Sequence, residues 1–433
     1  MSTNQTLLQY APTPRPLGKD ETWNVFLSYR SVDRPWVLNL YDVLCSAGHK
    51  VFLDQCVLKA GDELIRQLEN GLESSQAGVL IWSAKSAESD WVRREYSAME
   101  DMAGTKPGFC FVPVRVDDKE LPRFARNRVF LDFAAYPDGP NGGELLRLLH
   151  AIVGQPLSDA SVRFAAALDQ QSLEAANLIK AARMGGEAQR LRRLFEAGGL
   201  PWEISSALGC QAADAMLSIG EREAGVEMLQ EIERRFPRAI RPKQLRALAL
   251  ARIGGADNLG QAQEILGALY AQNQRDPETV GIYARTYMDR YASSGNILML
   301  RRSRELYEEA FEDAADDYYT GINAAAKSVL LGTPADLAKA AELAARVEEI
   351  VGDRPVRGDY WLSATVGEVQ LIQGNFERAA EVYAAAVATA PAEVDAHRST
   401  WLQASRLMKQ LDPTPEQYQL VREAFAHLPE PEK

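Results

Sequence analysis

Residues 81–102 read IWSAKSAESDWVRREYSAMEDM: a strand end, a serine-rich turn and the start of an amphipathic helix in one run. The apolar segment 77–82 (AGVLIW) has the length of a buried strand, and the helix opens near Ser89 and Asp90. Trp91 and Glu95 stand four residues apart and so lie one above the other on a single helix face. A carboxylate and an aromatic plane are thereby set beside the loop that leaves a strand, where an α/β sheet takes its ligands. Taken alone, Glu95 is either such a ligand-facing carboxylate or a first-turn acid complementing the helix dipole, with Trp91 a core residue in the second case.

The flanking sequence continues the pattern. Residues 23–29 (WNVFLSY), 50–54 (KVFLD), 109–116 (FCFVPVRV) and 129–133 are further short apolar runs, each read as a strand. Pro113 puts the fourth run near a sheet edge. Asp33 is read as the cap of a helix with Pro35 in its first turn and Trp36, Leu40, Val43 and Leu44 on its apolar face. A second helix carries Leu64, Ile65, Leu68 and Leu72, and residues 145–153 close the series. Strands alternating with helices predict a parallel, doubly wound α/β sheet. Neither GxGxxG nor GxxxxGK[ST] occurs, so no glycine-rich cradle for phosphates is expected.

Four pieces in this order, VFLSYRSVDRPWV, LDQCVLKAGDEL, GVLIWSAKSAESDW and WVRREYSAM, resemble a TIR (Toll/interleukin-receptor) domain over about residues 22–154. The resemblance implies a flavodoxin-like sheet and, in the many members that are enzymes, cleavage of NAD, which is substrate rather than cofactor. It places the family's catalytic glutamate, within a WxxxE pattern, on Trp91 and Glu95. It also implies a pocket lined by Phe26, Ser28, Tyr29 and Arg30 after the first strand, Leu58 and Gly61 in the loop after the second, and Ser83 after the third. Each of these has a plainer reading from its type. Phe26 suits a core, Ser28 and Ser83 suit turns, Arg30 suits a surface charge or a pair with Asp33, and Gly61 suits a tight turn.

The residue types agree with that chemistry. The nicotinamide of NAD is already cationic and leaves without being protonated, so the usual pair of glycosidase carboxyls is not required. One carboxylate near the ribose stabilises the developing positive charge and can orient an attacking water. With water as acceptor the products are nicotinamide and ADP-ribose; with the substrate's own adenine, a cyclic ADP-ribose. The sequence leaves both open.

Composition narrows the rest. The chain has 433 residues, 46% hydrophobic and 25% charged, with a net charge of −12. No long basic block is present, which disfavours nucleic acid as a partner. No apolar run approaches the ~20 residues of a membrane span, and residues 1–21 lack the apolar core of a secretory signal. Cysteines 45, 56, 110 and 210 form no CxxC pair and the four histidines no HExxH, so a reduced, cytoplasmic chain without a metal site is expected.

Beyond residue 155 strand signals give way to Ala, Leu, Glu and Arg at helical spacing. The segments GEREAGVEMLQEIERRFP (220–237) and GNFERAAEVYAAAVATAP (374–391) carry small, large and proline positions at identical offsets. They resemble the tetratricopeptide (TPR) repeat, whose stacked helix pairs form a concave surface for a peptide, a protein or a copy of the chain itself. The expected organisation is a mobile tail (1–21), a TIR domain (22–154), connecting helices (155–205) and an all-α TPR-like solenoid (206–433). The expectation is a bacterial defence effector, an NAD glycohydrolase that self-associates through its TIR domain or is switched by whatever the TPR surface senses. The rival expectation is a scaffold that binds through both regions and catalyses nothing.

Overall fold

The computed structural model describes residues 4–53, 64–84, 86, 90–120, 129–313, 317–356, 359–391 and 393–429. Five parallel strands form one sheet: β1 (Trp23–Ser28), β2 (Val51–Phe52), β3 (Ser75–Trp82), β4 (Cys110–Arg115) and β5 (Leu131–Asp132). Their order is β2-β1-β3-β4-β5, the flavodoxin-like arrangement. Around it lie α1 (Asn4–Leu8), α2 (Arg34–Ser46), α3 (Leu64–Glu73), α4 (Asp90–Thr105) and α5 (Glu144–Val153).

The central strand shows why the sheet forms. Every residue of β3 (SQAGVLIW) is buried, because helices cover both faces. Each fully buried Val, Leu or Ile contributes about 1.5–3 kcal/mol. Gly78 lets α4 come close, since a Cβ there would stand 2.8 Å from the Met99 sulfur. Pro113, read as an edge signal, lies opposite Leu80 of β3, and pairing of β4 with β5 starts one residue later at Val114. The strand lacking one N–H is thus paired on both sides, one place in from the edge.

The N-terminal segment, expected to be a mobile tail, is packed against the start of the sheet. Leu7 is buried, Tyr10 stacks on Phe164, and the Arg15 guanidinium donates to the carbonyls of Gly108 and Gln76 at 2.7 and 3.0 Å. Asn24 and Gln76 return hydrogen bonds to the carbonyls of Arg15 and Pro16. These side-chain donors satisfy a backbone that the tail's polar composition alone does not place.

The helices that follow are α6 (Asp159–Met184), α7 (Ala188–Ala197), α8 (Leu200–Glu203), α9 (Ala207–Ser218), α10 (Arg222–Arg235) and α11 (Arg241–Ile253). They belong to the same compact unit as the sheet, which spans Met1–Gly254. Buried polar contacts join them to it. Ser206 donates to Asn39 of α2 (3.2 Å), Asn141 donates to the Pro201 carbonyl (2.8 Å), and Arg241 pairs with Asp138 (2.7 Å). Cys45 and Cys110 are half-buried and Cys210 is buried, and burial raises the pKa of all three thiols.

Gly255–Lys433 forms a second unit: α12 (Ala256–Ala271), α13 (Pro277–Ser294), α14 (Ile297–Asp313), α15 (Tyr318–Leu331), α16 (Pro334–Val351), α17 (Tyr360–Ile372), α18 (Phe376–Thr389), α19 (Val394–Leu411) and α20 (Pro415–Glu423). Successive helices pack as hairpins around a core that includes Phe311, Val347, Tyr383, Trp401 and Phe425. The two best repeats fall on α10 and α18. Gly220 and Gly374 precede them with φ of +93° and +81°, the left-handed turn that glycine adopts freely. Leu229 and Tyr383, at the same offset, are both buried. No described helix is long and apolar enough to cross a membrane.

Candidate active site

In this strand order the crevice opens between β1 and β3, whose helices leave toward opposite faces. Ser28 ends β1 on one side, and Ser83 follows β3 on the other. The helix that β3 feeds, α4, carries Glu95. Tyr96 and Met99 of α4 are buried against Phe26, Leu80 and Phe111, which fixes the rotation of the helix and leaves Glu95 only partly covered. Glu95 lies in the second turn of α4, past the first turn where the helix dipole acts on an acid.

The Ser28 hydroxyl donates to Glu95 Oε2. A carboxylate at the crevice is therefore oriented by a serine that is itself almost fully buried at the strand end. Phe26 sits one pleat below Ser28 on the same face, 1% exposed, with its ring stacked on Phe52 at 5.0 Å. It forms a floor, and burial in the core leaves its ring no open surface for a ligand. Tyr29 and Arg30 continue from Ser28 on the loop, both partly exposed. The Trp91 backbone belongs to α4, while its side chain, Leu58 and Gly61 lie outside the described residues.

Ser83 is engaged differently from the expectation of a ligand-facing hydroxyl. Its Oγ donates to Asp33 Oδ2 at 2.8 Å and accepts from the Ser86 N–H at 3.0 Å, while the Ser83 N–H donates to Ser86 Oγ at 2.6 Å. Asp33 precedes α2, yet its side chain makes no cap hydrogen bond to that helix, because the carboxyl turns across the crevice to Ser83. A second carboxylate reaches the same turn. Asp117, after β4, accepts from the Ala84 N–H at 2.6 Å and from the Lys119 N–H at 2.9 Å. Part of Asp33 still meets solvent, but protein atoms crowd its carboxyl. This desolvation, with Asp117 adding to it, pushes the Asp33 pKa up to about 7 against the Ser83 hydrogen bond and Arg30.

The structure thus joins Ser28 to Glu95 and Ser83 to Asp33. Asp33 and Asp117 were missed as parts of the site. An acid ahead of a first-turn proline reads as a helix cap, and no sequence pattern shows a carboxyl turning to another loop.

Residues 25–147 match the TIR domain family, and residues 221–331 match the Tetratricopeptide Repeats-Sensor family. A protein named probable 2′ cyclic ADP-D-ribose synthase TcpB, of Brucella melitensis biotype 1, is 32% identical over 84 residues, 19% of this chain and 34% of its own length. NAD(+) hydrolase TcpA of a Theionarchaea archaeon is 32% identical over 78 residues, 18% of this chain and 24% of its own length. The chain therefore spans about a third and about a quarter of these two relatives. Among solved structures, a thermophilic TPR protein of Thermus thermophilus is 15% identical at a TM-score of 0.36, covering 47% of this chain and 98% of that one, a likeness too slight to carry weight. The sheet-bearing part of this chain is a TIR domain, and within the helices that follow it lies a segment of the TPR-sensor family.

Proposed function

We propose that the TIR domain cleaves NAD at the bond between nicotinamide and ribose, with Glu95 as the catalytic carboxylate. Nicotinamide departs with the bonding electron pair, which cancels its positive charge. Glu95 offsets the charge left on the ribose, and a water, or a nucleophile of the substrate's own adenosine half (an adenine nitrogen or a ribose hydroxyl), adds to the same carbon and gives up a proton. The products are ADP-ribose in the first case and a cyclic ADP-ribose in the second. The names of the two relatives cover one outcome each and so support the bond cleaved more than the acceptor. The observation that carries the reading is the Glu95 carboxylate, held by Ser28 at the crevice between β1 and β3. Tyr29, Arg30 and Trp91 complete the substrate contacts in this reading, with Leu58 and Gly61 supplied by the loop after β2.

On the same reading, residues 22–154 are the catalytic part, 155–205 the connection and 206–433 a regulatory array that binds a protein or peptide trigger. The protein would be a cytoplasmic effector of bacterial antiphage defence, switched on by self-association, because an NADase that never rested would drain its own cell. The test is nicotinamide release by the full chain and by Glu95→Ala, over a range of protein concentrations and with a crowding agent. Loss of about 100-fold or more in the variant, with activity rising faster than linearly with concentration, is the expected result. Intact NAD in the crowded wild-type sample would favour the scaffold.

A further inference from the structure

The turn after β3, which precedes the Glu95 helix in the chain, is gripped from two sides by carboxyl groups of other loops. Asp33 comes from the loop after β1 and holds the Ser83 hydroxyl. Asp117 comes from the loop after β4 and holds the Ala84 N–H. Between them Ser83 and Ser86 exchange hydrogen bonds through backbone and side chain, so a pull on either is passed to the other. Ser83 and Ser86 are both buried, and water cannot easily take over a lost partner. We propose that Asp33 is a positioning residue that sets Glu95 against Ser28 by holding the Ser83 turn, and that it holds the turn best in its neutral, protonated form.

The inference rests on Glu95 being the catalytic group, and it adds a regulation of that site. Among the described residues the charged groups facing Asp33 are Arg30, from its own loop, and Asp117, from across the turn. An ionised Asp33 sets a second negative charge beside Asp117. A neutral Asp33 removes first the cost of a desolvated charge and then that repulsion; it still accepts from Ser83 through its carbonyl oxygen, in a weaker bond than a carboxylate would make, and the first two effects outweigh the third. The folded-state pKa, about 7, lies above the ordinary value of 3.8. The native chain therefore binds this proton more tightly than the unfolded chain does. The stability linked to it is full below about pH 4 and is lost as pH rises through 7.

The experiment follows nicotinamide release by the full-length protein between pH 5.5 and 8.5. Wild type is expected to lose activity on an alkaline limb centred near pH 7, a fall of about tenfold between pH 6 and pH 8 for a single group. Asp33→Asn keeps the oxygen that accepts from Ser83 and cannot ionise, so that limb disappears. Asp33→Ala and Ser83→Ala each lower kcat with little change in KM, and the double variant is no worse than the poorer single one. An unchanged limb in Asp33→Asn, or additive losses in the double variant, would overturn the proposal. A second readout needs no catalysis: the Ala84 amide signal of the full chain labelled with nitrogen-15 alanine and assigned with Ala84→Ser. Movement of that signal with a midpoint near pH 7, absent in Asp33→Asn, supports the proposal even if no NAD is cleaved. A signal that stays still overturns it whatever the activity.

Discussion

Ser28 gives Glu95 a hydrogen bond from a side chain that solvent scarcely reaches. A hydrogen bond to a charged acceptor at such a place contributes about 1.5–3 kcal/mol. If that energy is realised in holding the carboxylate toward the ribose, Ser28→Ala lowers kcat by roughly 10- to 100-fold. KM for NAD and the melting temperature move little, since the methyl group fits the same space. Steady-state kinetics beside a thermal melt checks both halves of this expectation. A rise in KM at constant kcat would instead assign Ser28 to substrate binding. The sequence set Glu95 on the helix after β3, but its spacing from Trp91 left a first-turn acid equally open, and it was the resemblance to a TIR domain that singled it out. Ser83 was legible as a residue of the crevice, whereas its hydrogen bond to Asp33 was not, because the two are 50 residues apart and meet only when β1 and β3 pair.

The strands were readable because each is a short apolar run between polar turns, and the apolar run of β3 survives burial on both faces. The limits of β2 and β5 were not. Each keeps only two paired residues, since pairing at a sheet edge depends on a neighbour and not on propensity. The N-terminal segment escaped notice for a related reason. Its order comes from long-range donors such as Arg15, and no local period announces them. The junction between α5 and α6 gives a sharp test of packing between elements. A Cβ on Gly143 would stand 2.2 Å from the Ala165 carbonyl oxygen, a backbone atom that cannot rotate away. Gly143→Ala should destabilise the protein by about 3 kcal/mol, readable as a lower denaturation midpoint. An unchanged midpoint would mean that α5 and α6 slide apart without cost.

At the scale of the molecule, the division into units at Gly254 and Gly255 means that the sheet does not end with its own closing helix. Asn39, Asp138 and Asn141 find hydrogen-bond partners on the helices between 159 and 253. The Asp138–Arg241 pair has side-chain exposures of 10% and 22%, so removing one partner strands a charge that water only partly reaches. Asp138→Ala should cost about 3 kcal/mol and speed limited proteolysis between α5 and α11. Equal protease resistance in variant and wild type would show the pair to be incidental. The cysteines lead to a different use of the same unit. None lies beyond residue 210, and burial raises the pKa of Cys45, Cys110 and, most of all, the fully buried Cys210. With Cys45, Cys56 and Cys110 replaced by serine, a maleimide finds only Cys210, which is fully buried, so the pace of alkylation becomes a clock for that unit's breathing and stays silent about the other.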